Sequence, residues 1–341
     1  MAVKRKICIT GPSSLRLAEQ TLQSAGCELV LGKSADEFRD FRYAPKELID
    51  LIGDSDIVYP AGRDAIGAEI LDSCPNLQAV VKSSIGIETV DLDAATDLGI
   101  LCCNSPTPEN YMGVAEATLG LMVALFKRLK LNEAYMRSVG WRENQNRGAL
   151  MLGKTVGIIG VGRIGQNVAK RLGAWGMKIL GYDPYVSQET VGPLGVKMVS
   201  LEELLKSSDV VTLHVVLTRE TRGMIGMAEL KMMKPTAFII NTSRGPAIKE
   251  ADLVEALNAN VIAGAALDVF DQEPLPLDNP LRKIDPSRLI LTPHIIGTNP
   301  GSLEAGQRLA AQSILSILGG RVPDTVVNPK AVPLWKKRFW S

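Results

Sequence analysis

Residues 154–184 read KTVGIIGVGRIGQNVAKRLGAWGMKILGYDP, and this stretch decides the fold. Val156, Ile158 and Ile159 form a short apolar run, the pattern of a strand buried on both faces. Gly160, Gly162 and Gly165 then complete G-x-G-x-x-G, and a helical pattern follows through Val168, Leu172 and Trp175. A second apolar run, Met177 to Leu180, leads to Asp183. Gly160 permits a sharp turn out of the strand. Gly162 lets a pyrophosphate approach the backbone at the helix N-terminus. Gly165 lets helix and strand pack closely. Strand before, helix after and an acid at the end of the second strand are the context in which this motif binds a dinucleotide.

Asp183 also selects between dinucleotides. A carboxylate there hydrogen-bonds the ribose hydroxyls of NAD, whereas the 2′-phosphate of NADP meets like charge. No Arg or Lys stands between Tyr182 and Ser187 to receive that phosphate. NAD is the expected cofactor.

Working outward, 341 residues suggest two domains of roughly 150 residues each. Thirty-eight basic residues nearly cancel 37 acidic ones, which gives no support to nucleic-acid or anionic-membrane binding. The basic start, Lys4 to Lys6, runs straight into a strand and not into the apolar core of a signal peptide. No apolar run is long enough to span a bilayer. The five cysteines lie in or beside apolar strands without C-x-x-C spacing, as expected of reduced thiols in a cytoplasmic protein. With two histidines and no H-x-x-H, no metal is expected.

Residues 1–105 alternate strand and helix, which predicts a parallel sheet with helices on both faces. This part lacks a glycine fingerprint, so it is not expected to hold the dinucleotide. Val114 to Leu131 reads as one long, mostly apolar helix between two α/β units. Arg137 to Gly153 reads as a loop. Strands are then expected at Val210–Val216, Ala237–Asn241, Ile262–Asp268 and Leu289–Thr292. A final helix, about Ser302 to Leu318, is expected to return the chain to the first domain. The tail after it holds Trp335 and Trp340 and could pack on its own subunit or on a neighbour.

Ligands of open α/β sheets bind beyond the carboxyl ends of the strands, and three polar segments stand there. Arg244, in Asn241-Thr242-Ser243-Arg244-Gly245, offers a planar fork that matches a carboxylate. Asp268 to Glu273 places carboxylates at a second strand exit, where Asp271 reads as an ordinary solvated acid. His294 leaves a third strand behind Pro293 and is the candidate general acid–base, with Glu273 as its candidate partner. His214, within VVTLHVVL, reads as a satisfied histidine of the core or the cofactor edge.

The set GVGRIG, NTSRG, ALDVFDQEP and TPHIIG resembles the NAD-dependent D-2-hydroxyacid dehydrogenase family, phosphoglycerate dehydrogenase-like members included. Val80–Asn104 resembles that family's substrate-facing loop and the helix after it, and Val114-Ala115-Glu116 the start of its interdomain helix. The resemblance implies an α/β fold of two doubly wound parallel-sheet domains. A Rossmann NAD domain, 105–297, is inserted in a flavodoxin-like substrate domain made of 1–104 and 298–341. It implies hydride transfer between NAD(H) and a small 2-hydroxy or 2-keto acid.

By position, the resemblance makes Arg244 the substrate anchor, His294 the proton donor and acceptor, and Glu273 its partner. Arg163 and Ile164 meet the pyrophosphate and Asp183 the adenosine ribose. Thr242, Ser243 and Arg244 line the nicotinamide side, Asp268 takes the carboxamide, and Gly297 and His294 lie by the ring. Backbone amides near Ile85 and Gly86 receive the substrate carboxylate, beside Ser84. A homodimer is implied as well, and the apolar length of Val114–Leu131 favours it. Ser84 departs from a frequent Gly, Pro106 to Met112 is unusual, and Val216 replaces a frequent Pro; the first two bear on which acid is bound. Two alternatives stay open: an NADH-sensing binding protein like the C-terminal-binding-protein corepressors, and a formate- or phosphite-type dehydrogenase. Glu273, where formate enzymes usually carry Gln, speaks against the latter.

Overall fold

A computed structural model describes residues 5–38, 41–138 and 140–341. They form two compact units, Met1–Asn110 with Asn299–Ser341, and Tyr111–Thr298. The units divide after Asn110 and Thr298, where the sequence reading divides after 104 and 297.

Unit 1 is built on five parallel strands: β1 (Lys6–Ile9), β2 (Glu28–Leu31), β3 (Ile57–Tyr59), β4 (Ala79–Val81) and β5 (Leu101–Cys103). Their order is β2-β1-β3-β4-β5. Strand side chains alternate between faces, and each face here has its own core. Ile7, Ile9, Val81 and Leu101 pack with Leu22, Ala310, Ile314, Ile317 and Trp335. Cys8, Val58, Val80 and Cys102 pack with Leu48, Ile52, Ile70 and Ala95. Both faces are covered, so these strands read as continuous apolar runs and not as alternating ones. The return helix is Pro300–Leu318, capped by Asn299, whose side chain accepts the Ser302 N–H at 2.9 Å. The tail folds into its own unit: helix Val332–Phe339 buries Trp335 completely, and the Trp340 ring lies tilted against it, 6.1 Å between centroids. All five cysteines are free thiols.

Unit 2 holds seven parallel strands: β6 (Thr155–Ile159), β7 (Lys178–Tyr182), β8 (Val196–Met198), β9 (Val210–Leu213), β10 (Phe238–Asn241), β11 (Gly264–Leu267) and β12 (Leu289–Leu291). The order is β12-β11-β10-β9-β6-β7-β8. The chain runs outward from β6 in one direction and then, from β9, in the other. The carboxyl ends of β6 and β9 are therefore the topological switch point, where such sheets bind ligands. One face packs Val156, Ile158, Val210 and Ile240 against Met122, Phe126, Val168 and Leu172. The other packs Ile159, Val211 and Ile239 against Leu204, Leu230, Leu253 and Leu257.

Three expectations need correction. The long helix starts earlier and ends sooner, as Pro108–Phe126, and a second helix, Leu129–Ser138, follows a break. Arg128 stands in the break at φ +52°, a left-handed backbone that interrupts any α-helix. Arg137 is therefore helical, and the expected loop begins later. The strand expected at Val210–Val216 stops at Leu213, which leaves His214 just beyond it. Strand β8, at the sheet edge, has no counterpart in the sequence reading.

Candidate active site

The fingerprint glycines have separate structural causes. Gly160 sits at φ +89°, and a Cβ there would stand 2.6 Å from the His214 carbonyl oxygen. Any side chain would be both strained and blocked. At Gly165 a Cβ would meet the Gly160 carbonyl oxygen at 2.2 Å, so helix Arg163–Gly173 packs on β6 only with glycine here. A Cβ on Gly162 meets nothing within 4 Å. Gly162 is the N-cap of that helix and supplies no side-chain cap. The first helical N–H groups thus face open space with a positive dipole end behind them. Nothing in the chain itself requires glycine at 162, whereas a phosphate approaching the backbone does. The turn fits a dinucleotide. Arg163 is exposed beside it and Ile164 is half-buried.

Asp183 leaves β7 half-buried. Its Oδ2 accepts the Val161 N–H at 2.9 Å and its Oδ1 the Tyr185 N–H at 2.9 Å. These bonds fix the carboxylate relative to the glycine turn. Each oxygen keeps a second lone pair for a ribose hydroxyl.

The exits of β10, β11 and β12 carry the remaining polar residues. Buried Asn241 ends β10 and ties the next turn: its Oδ1 accepts from the Ser243 N–H at 3.0 Å and the Ser243 hydroxyl at 2.7 Å. Its Nδ2 donates to the Arg244 carbonyl at 2.8 Å. Arg244 Nη1 donates to the Ser243 carbonyl at 2.6 Å. Gly245 then passes so close to the next loop that a Cβ would lie 2.0 Å from the Phe270 carbonyl. That contact docks the Arg244 turn on the 268–273 loop. In that loop the Phe270 N–H donates to Glu273 Oε1 at 3.0 Å. Glu273 Oε2 faces His294 Nδ1 at 2.7 Å.

His294 holds its place at φ +50°, a left-handed backbone that few non-glycine residues adopt. Its pKa is raised above the ordinary histidine value. The hydrogen bond to Glu273 is the main cause; burial opposes it, Glu273's charge adds to it, Arg244 opposes and Asp268 adds. Burial alone would raise the Glu273 carboxyl, but His294, the Phe270 N–H and Arg244 outweigh it and leave that pKa lowered. The pair is thus tuned toward imidazolium and carboxylate. With Nδ1 engaged, Nε2 is the nitrogen left for a substrate. Buried Asp268 accepts from the Thr292 hydroxyl at 2.6 Å and from the N–H groups of Ile295 at 3.2 Å and Ile296 at 3.4 Å. Asp271 is exposed.

The remaining residues divide. Thr242 Oγ1 lies 3.1 Å from Thr118 Oγ1, so its hydroxyl is committed to helix Pro108–Phe126. Gly297 admits Val114, whose Cγ2 would be 2.4 Å from a Cβ there. His214 Nε2 bonds the Thr212 hydroxyl at 3.0 Å, and its Nδ1 is buried without a partner. In unit 1, Ser84 Oγ donates to the Gly86 carbonyl at 3.0 Å, and the Ile85 carbonyl accepts from Asn104 at 2.8 Å. Sequence reasoning singled out neither Asn241 nor Thr118. A strand ending in Asn before Thr-Ser carries the signal of a side-chain-closed turn; Thr118 lies within an apolar helix and gives none.

The family model for the D-isomer specific 2-hydroxyacid dehydrogenase NAD binding domain matches residues 119–296. A glyoxylate reductase from Thermofilum pendens is 38% identical over 90% of this chain and 90% of its own. A D-3-phosphoglycerate dehydrogenase from Methanocaldococcus jannaschii is 37% identical over 84% of this chain; the match spans only 54% of that longer protein. Among solved structures, the TT0316 protein from Thermus thermophilus superposes with a TM-score of 0.84 at 33% identity, covering 94% of this chain and 99% of that one. A D-lactate dehydrogenase from Aquifex aeolicus, complexed with NAD and lactic acid, gives 0.82 at 26% identity over 96% and 98%. With its fingerprint turn, its acid and its histidine–carboxylate pair, the chain belongs to the D-isomer specific 2-hydroxyacid dehydrogenase family.

Proposed function

We infer that this protein is an NAD-dependent oxidoreductase interconverting a small 2-hydroxy acid, of the D-isomer, and its 2-keto acid. The observation that carries the reading is the 2.7 Å contact between His294 Nδ1 and Glu273 Oε2. When bound, NAD supplies or accepts the hydride. The chain does the rest. Arg244 holds the substrate carboxylate and carbonyl with its fork. In reduction, imidazolium His294 donates its Nε2 proton to the carbonyl oxygen; in oxidation, neutral His294 takes the hydroxyl proton. Glu273 keeps the ring oriented and its charged form favourable. Gly160, Gly162, Arg163, Ile164, Gly165 and Asp183 hold the dinucleotide, with Thr242, Ser243, Asp268 and Gly297 on its nicotinamide side and His214 at its edge. Ile85 and Gly86 offer amides to the carboxylate.

The test is turnover of glyoxylate, pyruvate and larger 2-keto acids with NADH and NADPH. NADH is expected to win by at least about tenfold in kcat/KM, roughly 1.4 kcal/mol. NADH binding without turnover of any acid would instead favour the cofactor-sensing reading.

The protein acts as a homodimer in a reducing, cytoplasmic setting. The apolar length of helix Pro108–Phe126 no longer motivates the dimer, because Leu119, Met122, Leu125 and Phe126 are buried within unit 2. The segment after it does. Helix Leu129–Ser138 buries no residue, and Met136, Trp141 (74% exposed), Leu150 (64%) and Leu152 stand out of the surface. Such concentration marks a contact face, and a two-fold dimer is the commonest way to cover one. A monomeric mass by light scattering at micromolar concentration contradicts this. Five free thiols, four of them buried, suit a reducing compartment.

A further inference from the structure

Asn241 is a polar side chain at the end of a central strand, only 1% exposed, where packing alone would favour an apolar residue. Its amide is used at both ends. Oδ1 accepts the Ser243 N–H at 3.0 Å, which closes a side-chain turn, and the Ser243 hydroxyl at 2.7 Å. Nδ2 donates to the Arg244 carbonyl at 2.8 Å. A backbone N–H can only donate and a carbonyl can only accept, so the amide fits in one orientation. Thr242 and Ser243 are buried as well, and Arg244 is the first residue beyond β10 that is not. The Arg244 carbonyl also takes the Ala247 N–H, at 3.2 Å. The peptide between Ser243 and Arg244 therefore lies between two points that Asn241 fixes. The carbonyl of that peptide accepts Arg244 Nη1 at 2.6 Å.

We propose that Asn241 is a positioning residue that aims the Arg244 fork. One buried amide fixes the chain on either side of the Ser243–Arg244 peptide, and the carbonyl of that peptide steers the guanidinium. Asn241 acts through Arg244 and not on the substrate. The proposal rests on the oxidoreductase reading for what the fork holds. A guanidinium binds a carboxylate through two parallel N–H groups, so its worth depends on direction, and a misplacement of about 1 Å costs on the order of a hundredfold in rate. The chemistry asks for asparagine in particular. An aspartate has no donor for the Arg244 carbonyl, a leucine has neither donor nor acceptor, and a serine is too short to reach both partners. The competing account is that Asn241 only stabilises the turn, as asparagines at strand exits do.

A double-mutant cycle with Arg244→Lys separates aiming from stability. If Asn241 works through the fork, its removal matters only while the fork is there. Asn241→Ala is expected to lower kcat/KM for a 2-keto acid about tenfold, with the NADH Kd within about twofold of the parent. In the Arg244→Lys background the same change should cost less than about threefold. Oxamate binding to NADH-loaded protein, followed by calorimetry, should show the same pattern without turnover. An unimpaired Asn241→Ala, or a second full loss of about tenfold in the double variant, overturns the proposal. Asn241→Ser takes the place of the alanine variant in the cycle if the latter does not fold. A crystal structure of the Asn241 variant tests the aim without any acid. Arg244 Nη1 is expected to have left the Ser243 carbonyl, and a guanidinium still in place overturns the proposal. A displaced guanidinium, in a protein whose parent neither turns over a keto acid nor binds oxamate, keeps the role of Asn241 and removes the oxidoreductase reading.

Discussion

Unit 2 carries both histidines of the chain, each just beyond a strand of one parallel sheet, and their surroundings tune them in opposite directions. His214 follows β9 and meets no carboxylate: Nε2 bonds a threonine hydroxyl, Nδ1 is buried alone, and burial pushes its pKa down to about 3. His294 follows β12, half exposed, and Glu273 raises its pKa. The same residue type at similar places in the topology is thus inert to protons in one case and primed for them in the other. What differs is the group facing Nδ1. Desolvation without a counter-charge excludes the imidazolium; a hydrogen-bonded carboxylate retains it.

The comparison can be broken by mutation, and the largest effect belongs to His294→Ala. Keto-acid reduction should fall on the order of 10² to 10⁴-fold at every pH from about 5 to 9, with NADH affinity intact. A residual kcat/KM within about tenfold of the parent would show that the primed histidine is not the acid. Next comes Arg244→Lys, which keeps the charge and loses the fork. A drop of about tenfold to a hundredfold in kcat/KM is expected, again without loss of NADH binding; an unaffected rate makes Arg244 a structural residue.

The third variant, Glu273→Gln, moves a pH limit. Reduction needs the imidazolium, so its rate falls as pH rises through the raised pKa of His294. Without the carboxylate's charge that pKa drops, and the alkaline limb should shift down by about one pH unit. The amide still accepts a hydrogen bond, so the low-pH rate should be partly retained. An unmoved limb in a rate profile removes Glu273 from the proton chemistry. The smallest effect is reserved for His214→Gln. A group neutral from pH 5 upward contributes no limb, so the profile should keep its shape and kcat should change by less than about fivefold. A displaced limb would mean that His214 titrates after all.

Much of this was open to reading from residue order, and the misses have physical reasons. The glycine turn, its acid and the three strand exits are local patterns, each within a few residues of its chemistry. The pairing of Glu273 with His294 could be anticipated because the chain holds so few histidines. The break at Arg128 could not. The apolar periodicity runs on past it, and the bend is held by distant carbonyls: Lys127 reaches Ala149 O at 2.9 Å and Asn132 reaches Asn146 O at 3.1 Å. Strand β8 is three residues long with an exposed lysine at its centre, too short to show alternation. The loop 83–89 shows most clearly what residue order conceals. Ser84 could be placed near a substrate by resemblance, but which way its hydroxyl points is set by where the Gly86 carbonyl lies.

The burial of Trp335 has a consequence for how the chain is made. Unit 1 holds the earlier strands of the sequence, yet the face of its sheet that carries Ile7, Ile9, Val81 and Leu101 is closed by Ala310, Ile314, Ile317 and Trp335. Synthesis delivers residues 111–298 in between, a continuous unit with every strand of its own sheet. Domains fold as units while the ribosome extends the chain. The unit begun first is therefore finished last. A nascent chain paused near residue 298 carries a completed dinucleotide domain and, ahead of it, a half-built one whose greasy side is covered only in part, by Ala18 and Leu22.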